Sequence, residues 1–294
     1  MGELPAISIA LSMHNAAATI ARAVRSLLTQ TFSDWELLLF DDGSTDDSID
    51  RVRALADARI RIASDGRRLG LAARLNQAID LARGPYIARM DADDIAYPER
   101  LERQYAFLKA NPDIDLLGSG MMVFGDDGRP IGLYPIRQTH AEICARPYSG
   151  FYLAHPTWIG KTQWFRRWRY DPGCRRAQDQ DLLLRSYAHS RFAVLPEPLA
   201  GYRQDALSVR KSLAGRYSFA RAIVRVAWRD HDYAAGAVAV ALQAAKFAAD
   251  AVAIPSGLSR RVLSHQAIPF TASDAARWRD VWRGTDPDSK SCAA

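Results

Sequence analysis

The sequence predicts an α/β fold: a mostly parallel, Rossmann-like sheet flanked by helices, followed by a helical C-terminal extension. Three observations carry this. Across the first 120 residues, short apolar runs alternate with amphipathic stretches. That is the rhythm of strands joined by right-handed helical crossovers. Two acidic clusters, Asp41-Asp42 and Asp91-Ala92-Asp93-Asp94, each follow directly on an apolar run. In such sheets ligands bind beyond the carboxyl ends of the strands. After Ser208 the pattern becomes helical as far as about Ile254.

Taken in order, Ile7–Leu11 is a buried strand, and Ala16–Gln30 has Ile20, Val24, Leu27 and Leu28 at helical spacing. Trp35–Phe40 is a second strand, ended by Asp41-Asp42-Gly43, with Ser44 or Thr45 placed to cap a helix over Asp46–Ala56. Ile60–Ala63 is a third strand. Leu71–Ala82 is a helix closed by Gly84-Pro85. Tyr86–Met90 is a fourth strand, Pro98–Asn111 a helix and Ile114–Gly118 a fifth strand. Asp126-Asp127-Gly128 reads as a hairpin turn. Gln178–Ala188 reads as a helix, and Phe192–Tyr202 as an extended segment interrupted by Pro196 and Pro198. This divides the chain into a catalytic-type domain over 1–208, with halves 1–120 and 121–208, and a helical region over 209–294.

The chain has 294 residues, 48% hydrophobic and 24% charged, which excludes wholesale disorder. Its net charge of +6 lies entirely in residues 206–294, which hold 13 basic and 7 acidic side chains. Cys144, Cys174 and Cys292 lie far apart and form no CxxC pair, so neither a zinc knuckle nor a disulfide framework is indicated. Sparse cysteine and an N-terminal stretch without basic residues point to a cytoplasmic protein. The most apolar window, Ala234–Ile254, could span a bilayer by length. Gln243, Lys246, Asp250 and the dominance of Ala favour a soluble or interfacial helix instead, with a buried Ala-rich helix as the plain expectation.

Asp91, Asp93 and Asp94 put three mutually repelling carboxylates in four residues. A fold keeps such a group at modest cost when something positive binds there. After a buried strand they suit one divalent cation, Mn²⁺ or Mg²⁺, which prefers hard oxygen ligands. A solvated acidic turn before Pro98 is the plain alternative. At Asp41-Asp42-Gly43, an acceptor-only carboxylate can take a nucleobase N–H or a ribose hydroxyl.

These segments, in this order, resemble an inverting glycosyltransferase of family 2 with the GT-A fold. The resemblance runs through His14-Asn15, Leu27-Leu28-Thr29-Gln30-Thr31 and Asp41–Asp46, then Gly70–Gln77 and Ala82–Asp94. It continues in His155-Pro156-Thr157, Gln178-Asp179-Gln180-Asp181-Leu182 and Leu199–Arg203, covering roughly residues 5–210. It implies that Asp42, with the His14-Asn15 turn, contacts the nucleotide base. Asp91 and Asp93 would form the DxD pair that holds ribose and metal. The family's Glu-Asp motif falls on Gln178-Asp179, with Gln in place of Glu, so Asp179 is the expected base. Asp181 is the competitor, its plain reading being an exposed helix carboxylate. Where many members carry a His after Tyr-Arg, this chain has Gln204-Asp205, and Asp205 is a substitute ligand candidate. Arg74 lies one place before a position where members carry Arg. His155 is expected to shape the sugar pocket or to be structural. Tyr148–Trp168 would offer aromatic faces to sugars or pack in the core.

The implied activity is metal-dependent transfer from a nucleoside-diphosphate sugar, by default a UDP-sugar, to a hydroxyl of a saccharide or lipid-linked saccharide in bacterial surface polysaccharide or glycolipid synthesis. Rival readings are a nucleotidyltransferase and an inactive sugar-nucleotide binder. The first lacks a Gly-rich basic loop at Ser12–Ala16. A nucleic-acid partner is not expected, because the basic third carries no known motif. Arg221, Arg225 and Arg229 recur every four residues and would share a helix face. That predicts peripheral contact with an anionic inner leaflet, or else a solvated basic face on a helix packed against the catalytic domain.

Overall fold

The computed structural model describes residues 4–204, 208–256 and 268–286. Four parallel strands make the first half of one sheet: β1 (Ile7–Met13), β2 (Trp35–Asp41), β3 (Ile60–Ser64) and β4 (Tyr86–Asp91), in the order β3-β2-β1-β4. The central strands are buried on both faces, and alternate residues serve opposite sides. Ile9, Leu11, Leu37 and Leu39 pack with Ile20, Val24 and Leu27 of α1 (Ile20–Leu28). Ala10, Leu38 and Phe40 face Leu75, Ala78 and Ile79 of α3 (Leu71–Leu81). The helix after β2, α2, is short, Ser48–Arg53.

The second half is mixed rather than parallel. The predicted fifth strand is the longer β6 (Leu116–Phe124), and it does not pair with β4. The short reversed strand β8 (Ile159–Lys161) sits between them, antiparallel to both. Gly160 permits this insertion, because a Cβ there would lie 2.6 Å from the Asp115 carbonyl oxygen. β9 (Phe192–Arg203) then pairs parallel with β6, followed by β5 (Ile95–Ala96), while β7 (Pro130–Leu133) forms a hairpin on β6. Pro196 and Pro198 do not break β9. The register shifts on either side of Gly120, which lies against the Pro196 carbonyl, as prolines at a bulge require. Gly128 turns the β6–β7 hairpin at φ +76°. Helices α4 (Arg100–Ala110), α5 (His140–Ile143), α6 (Thr162–Trp168) and α7 (Gln178–Ser186) complete this part.

Beyond it, α8 (Val209–Arg229) and α9 (Tyr233–Ala253) form an antiparallel hairpin. Phe219, Ala222, Ile223 and Val226 of α8 join the main core. The α9 helix is not the buried Ala-rich element expected. Only Gly236, Ala239 and Gln243 are buried, since α9 packs on α8 and the short turn Pro147–Ser149 along one side only. Val238, Leu242 and Val252 are exposed. The last helix, α10 (Ala272–Gly284), returns to the sheet and closes a third core made by Ile95, Tyr97, Met122, Phe124, Trp278 and Val281. The Trp278 indole N–H donates to the Gly128 carbonyl at 2.7 Å, and a Cβ on Gly201 would strike its ring. Weak periodicity hid this element from the sequence.

Truncating a fully buried Trp leaves a cavity no neighbour fills. Trp278→Ala should therefore cost about 3–5 kcal/mol. Urea unfolding checks it, and Trp228→Ala, at a site 66% exposed, should shift stability by no more than about 0.5 kcal/mol.

Candidate active site

The site lies at the carboxyl ends of β1, β2 and β4. The turn after β1 is pinned by the loop after β2. The Thr45 N–H donates to Asn15 Oδ1 at 2.8 Å, and the Asn15 N–H donates to Ser44 Oγ at 3.0 Å. Ser48 and Asp46 accept from the N–H groups of Ala16 and Ala17. Ser44 and Thr45 therefore do not cap α2, as their position suggested. They hold Asn15 in a left-handed conformation, φ +48°. Asp41 is buried and accepts from Ser44 N–H and Ser64 Oγ, so only Asp42 of the adjacent pair reaches the mouth of the sheet.

Asp42 is itself tightly held. One oxygen accepts from Leu69 N–H at 2.7 Å, Gly70 N–H at 3.0 Å and Arg74 Nε at 3.0 Å. Arg74 is 2% exposed and also grips Asp65, whose carboxyl it holds down at about 2. Its role is to fix Asp42 against the start of α3. A pocket of about 450 Å³ opens in front, lined by His14, Asn15, Asp42, Asp91, Asp93 and Arg203. The Nδ1 atom of His14 is buried there without a hydrogen-bond partner.

The DxD segment caps β4. Asp91, Asp93 and Asp94 each bring an oxygen within 4.8 Å of the others. Hard oxygen donors so close together fit Mg²⁺ or Mn²⁺, with Asp91 and Asp93 as the half-buried pair that would hold it. Asp94 lies beneath, fully buried, with one oxygen accepting from Arg203 N–H at 3.0 Å and the other unpartnered. Burial, with Asp91 and Asp93 alongside, pushes its carboxyl well up. Under the cluster sits Arg89, 3% exposed and ion-paired to Asp91, its Nε and Nη1 without partners. Arg100 supports it from behind, donating to the Arg89 carbonyl at 2.7 Å.

Helix α7 begins after Ala177, which is left-handed at φ +53°, with Gln178 as its first residue. The Asp179 carboxyl is pushed up by burial and tempered by Gln180 Nε2 at 3.3 Å and by the charge of Arg89. Asp181 is not an exposed helix carboxylate. It is fully buried and accepts from Arg185 Nε at 2.9 Å and Arg225 Nη2 at 2.5 Å. Its carboxylate is consumed by this clamp, because an unpaired buried charge would be costly. Arg225, expected on a lipid-facing stripe, also binds Asp171 at 2.6 Å, while Arg229 pairs with Asp230. Of that stripe only Arg221 is left outward, over the Tyr217 ring.

His155 is structural. Its Nε2 lies 2.7 Å from the Tyr170 hydroxyl, and it packs edge-on against Trp158. Burial and Arg89 hold its imidazole well below the usual range, so it is neutral. Of the aromatic segment, Phe151, Trp158, Trp164 and Phe165 are core, whereas Tyr152 is exposed under Arg137. Asp205 lies outside the described residues. Sequence reasoning passed over Arg89 as a site residue. Its signal was a charge inside the apolar run Tyr86–Met90, where a strand buried on both faces leaves no solvent for it.

The fold and the acidic pocket define a GT-A glycosyltransferase. The chain belongs to glycosyl transferase family 2, whose family model matches residues 8–169. It is 30% identical over 233 residues to the O-antigen biosynthesis glycosyltransferase WbnJ of Escherichia coli, covering 76% of this chain and 89% of that one. It is 36% identical over 105 residues to WfgD of Escherichia coli, covering 36% of this chain and 42% of that one. WfgD is named a UDP-Glc:α-D-GlcNAc-diphosphoundecaprenol β-1,3-glucosyltransferase. Among solved structures, residues 1–349 of TarS from S. aureus with UDP superpose at a TM-score of 0.58 and 20% identity. That match covers 74% of this chain and 65% of the TarS fragment, and it shows the fold.

The resemblance to family 2 makes Asp179 the expected base, and a base must be ionised to act, so its raised pKa predicts an acidic limb on the rate profile. Transfer should fall as pH drops through that raised value. Asp179→Asn should lower turnover by roughly 10²–10⁴-fold and abolish the limb. Asp181→Asn should instead lower the melting temperature and keep the limb. Turnover against pH, with calorimetry, separates the two.

Proposed function

We propose that this protein is a metal-dependent inverting glycosyltransferase that takes a nucleoside-diphosphate sugar, a UDP-sugar by preference, and glycosylates a hydroxyl of a lipid-linked saccharide in bacterial surface polysaccharide or glycolipid synthesis. One observation carries it. Asp91, Asp93 and Asp94 crowd together at the carboxyl end of β4, with Arg89 buried beneath and ion-paired to Asp91, at a pocket that Asp42, His14 and Asn15 also line. The names of WbnJ and WfgD, and UDP in the TarS neighbour, support the substrate classes.

In this reading His14, Asn15 and Asp42 receive the base and ribose, and the unpartnered His14 Nδ1 gains its missing partner. A divalent cation held by Asp91 and Asp93 supplies the charge that neutralises the departing diphosphate. Arg203 lines the same pocket, ion-paired to Asp126 at 3.0 Å. Asp179 removes the proton from the acceptor hydroxyl, which attacks the anomeric carbon opposite the leaving group. A single displacement inverts that carbon, so no enzyme nucleophile is needed. Gln178 in place of Glu leaves this step intact, because the proton goes to Asp179.

Peripheral membrane contact belongs to the same reading, but α9 carries it rather than the arginine stripe. This is the one helix among the described residues long and apolar enough to cross a bilayer, and only 17% of its apolar window is buried. Val238 and Leu242, exposed and four residues apart on one face, suit a helix lying in the interface.

UDP with Mn²⁺ should stabilise the fold by RT ln(1 + [L]/Kd) and so raise the melting temperature, and Asp91→Asn or Asp93→Asn should remove the Mn²⁺-dependent part. An undiminished shift in both variants would assign the metal elsewhere. The wild type should sediment with anionic vesicles, and Val238→Asp/Leu242→Asp should release it at any salt concentration. Equal sedimentation of the two proteins would sink the membrane assignment.

A further inference from the structure

Beside the donor pocket lies a second, larger cavity of about 840 Å³ that the reaction scheme above does not use. It opens between the start of α3, the loop leading into α7 and the start of α8. Five cationic side chains line it, Arg68, Arg175, Arg176, Arg210 and Lys211, and no acid does among the described residues. Arg68, Arg175, Arg176 and Arg210 are exposed and make no ion pair with any described carboxylate. Most other arginines in the catalytic half are spent on Asp or Glu partners, so this concentration is exceptional within the molecule. Like charges gathered round a concavity focus a positive field that only an anion relieves. Guanidinium forks match phosphate oxygens in pairs.

We infer that this cavity binds the diphosphate of a lipid-diphosphate-linked saccharide acceptor. The assignment rests on the glycosyltransfer reading and deepens it by placing the acceptor. Leu71 lines both this cavity and the donor pocket, so the two sites share a wall. Arg176 precedes Asp179 by three residues. A diphosphate among the arginines thus sets the attached saccharide at the helix end that carries the base. The arginine loop is rigidly built. Asp171 accepts from Gly173 N–H at 2.8 Å and is fixed to α8 by Arg225, and Cys174 Sγ donates to the Arg176 carbonyl at 2.9 Å. A lipid chain leaving the cavity meets exposed Leu213 and Tyr217 further along α8. The nucleotide's own diphosphate is a weaker occupant, since the carboxylates suited to its metal line the other pocket.

Farnesyl diphosphate, titrated calorimetrically in EDTA, is the probe. The EDTA silences metal-dependent binding at Asp91 and Asp93. Binding to the wild type should weaken by roughly tenfold or more in Arg175→Gln/Arg176→Gln and in Arg68→Gln/Arg210→Gln, each lost charge-assisted hydrogen bond contributing to the change. The thermal shift from UDP with Mn²⁺ should stay unchanged in both variants, which also reports that they fold. Farnesyl diphosphate binding that is absent, or insensitive to both double substitutions, overturns the site while a normal UDP shift leaves the glycosyltransfer reading standing. If the substitutions abolish binding to phosphatidylcholine vesicles containing phosphatidylglycerol but spare farnesyl diphosphate, the ligand is a leaflet headgroup and the assignment fails. Arginine-dependent farnesyl diphosphate binding without any UDP shift in the wild type supports the anion site and overturns the UDP-sugar preference instead.

Discussion

The buried guanidinium of Arg89 is the constraint on which the site depends. A cation 3% exposed in the middle of a strand must be met by anions or it unfolds the sheet. Asp91 and Asp94 lie close enough to meet that need, which is why three carboxylates tolerate one another at the end of β4. Their mutual repulsion is relieved from below by Arg89 and, at Asp94, by a carboxyl shifted toward its neutral form. Two guanidinium nitrogens remain without partners, so the balance is incomplete within the protein alone. Sites arranged for function commonly keep such unfinished balances.

A second buried charge organises the acceptor side. Asp181 is gripped by Arg185 from its own helix and by Arg225 from α8. Removing Arg225 would leave one carboxylate oxygen without its cross-helix partner in the core, so α8 is held against α7 more firmly than apolar contact alone would hold it. The same Arg225 secures Asp171 and hence the loop of Arg175 and Arg176. One side chain therefore sets the helical hairpin, the catalytic helix and the basic cavity in a common frame. The apolar face of α9 is carried in that frame too, which fixes how the catalytic cleft would stand relative to a membrane surface.

The two halves of the molecule use opposite electrostatics. The pocket beyond β1, β2 and β4 is lined by Asp42, Asp91, Asp93 and Asp126, while the adjoining cavity is lined by five cations.

The sequence determined the elements of the first half because its central strands are buried on both faces, and unbroken apolar stretches such as Leu37–Phe40 admit little else. It also made the Asp91-Ala92-Asp93-Asp94 cluster at the end of the fourth strand legible, because residue types and order are local facts. Tertiary structure alone decided what pairs across long separations. The insertion of β8 between β4 and β6 depends on a three-residue strand and on Gly160 clearing the Asp115 carbonyl, neither of which has a periodic signature. The return of α10 rests on Trp278 meeting Gly201 and Gly128, glycines distant from it in the chain. Whether Asp181 was exposed or buried, and whether Arg225 faced lipid or a carboxylate, turned on which helix faces met. Helical spacing says which residues share a face, and only packing says what that face touches.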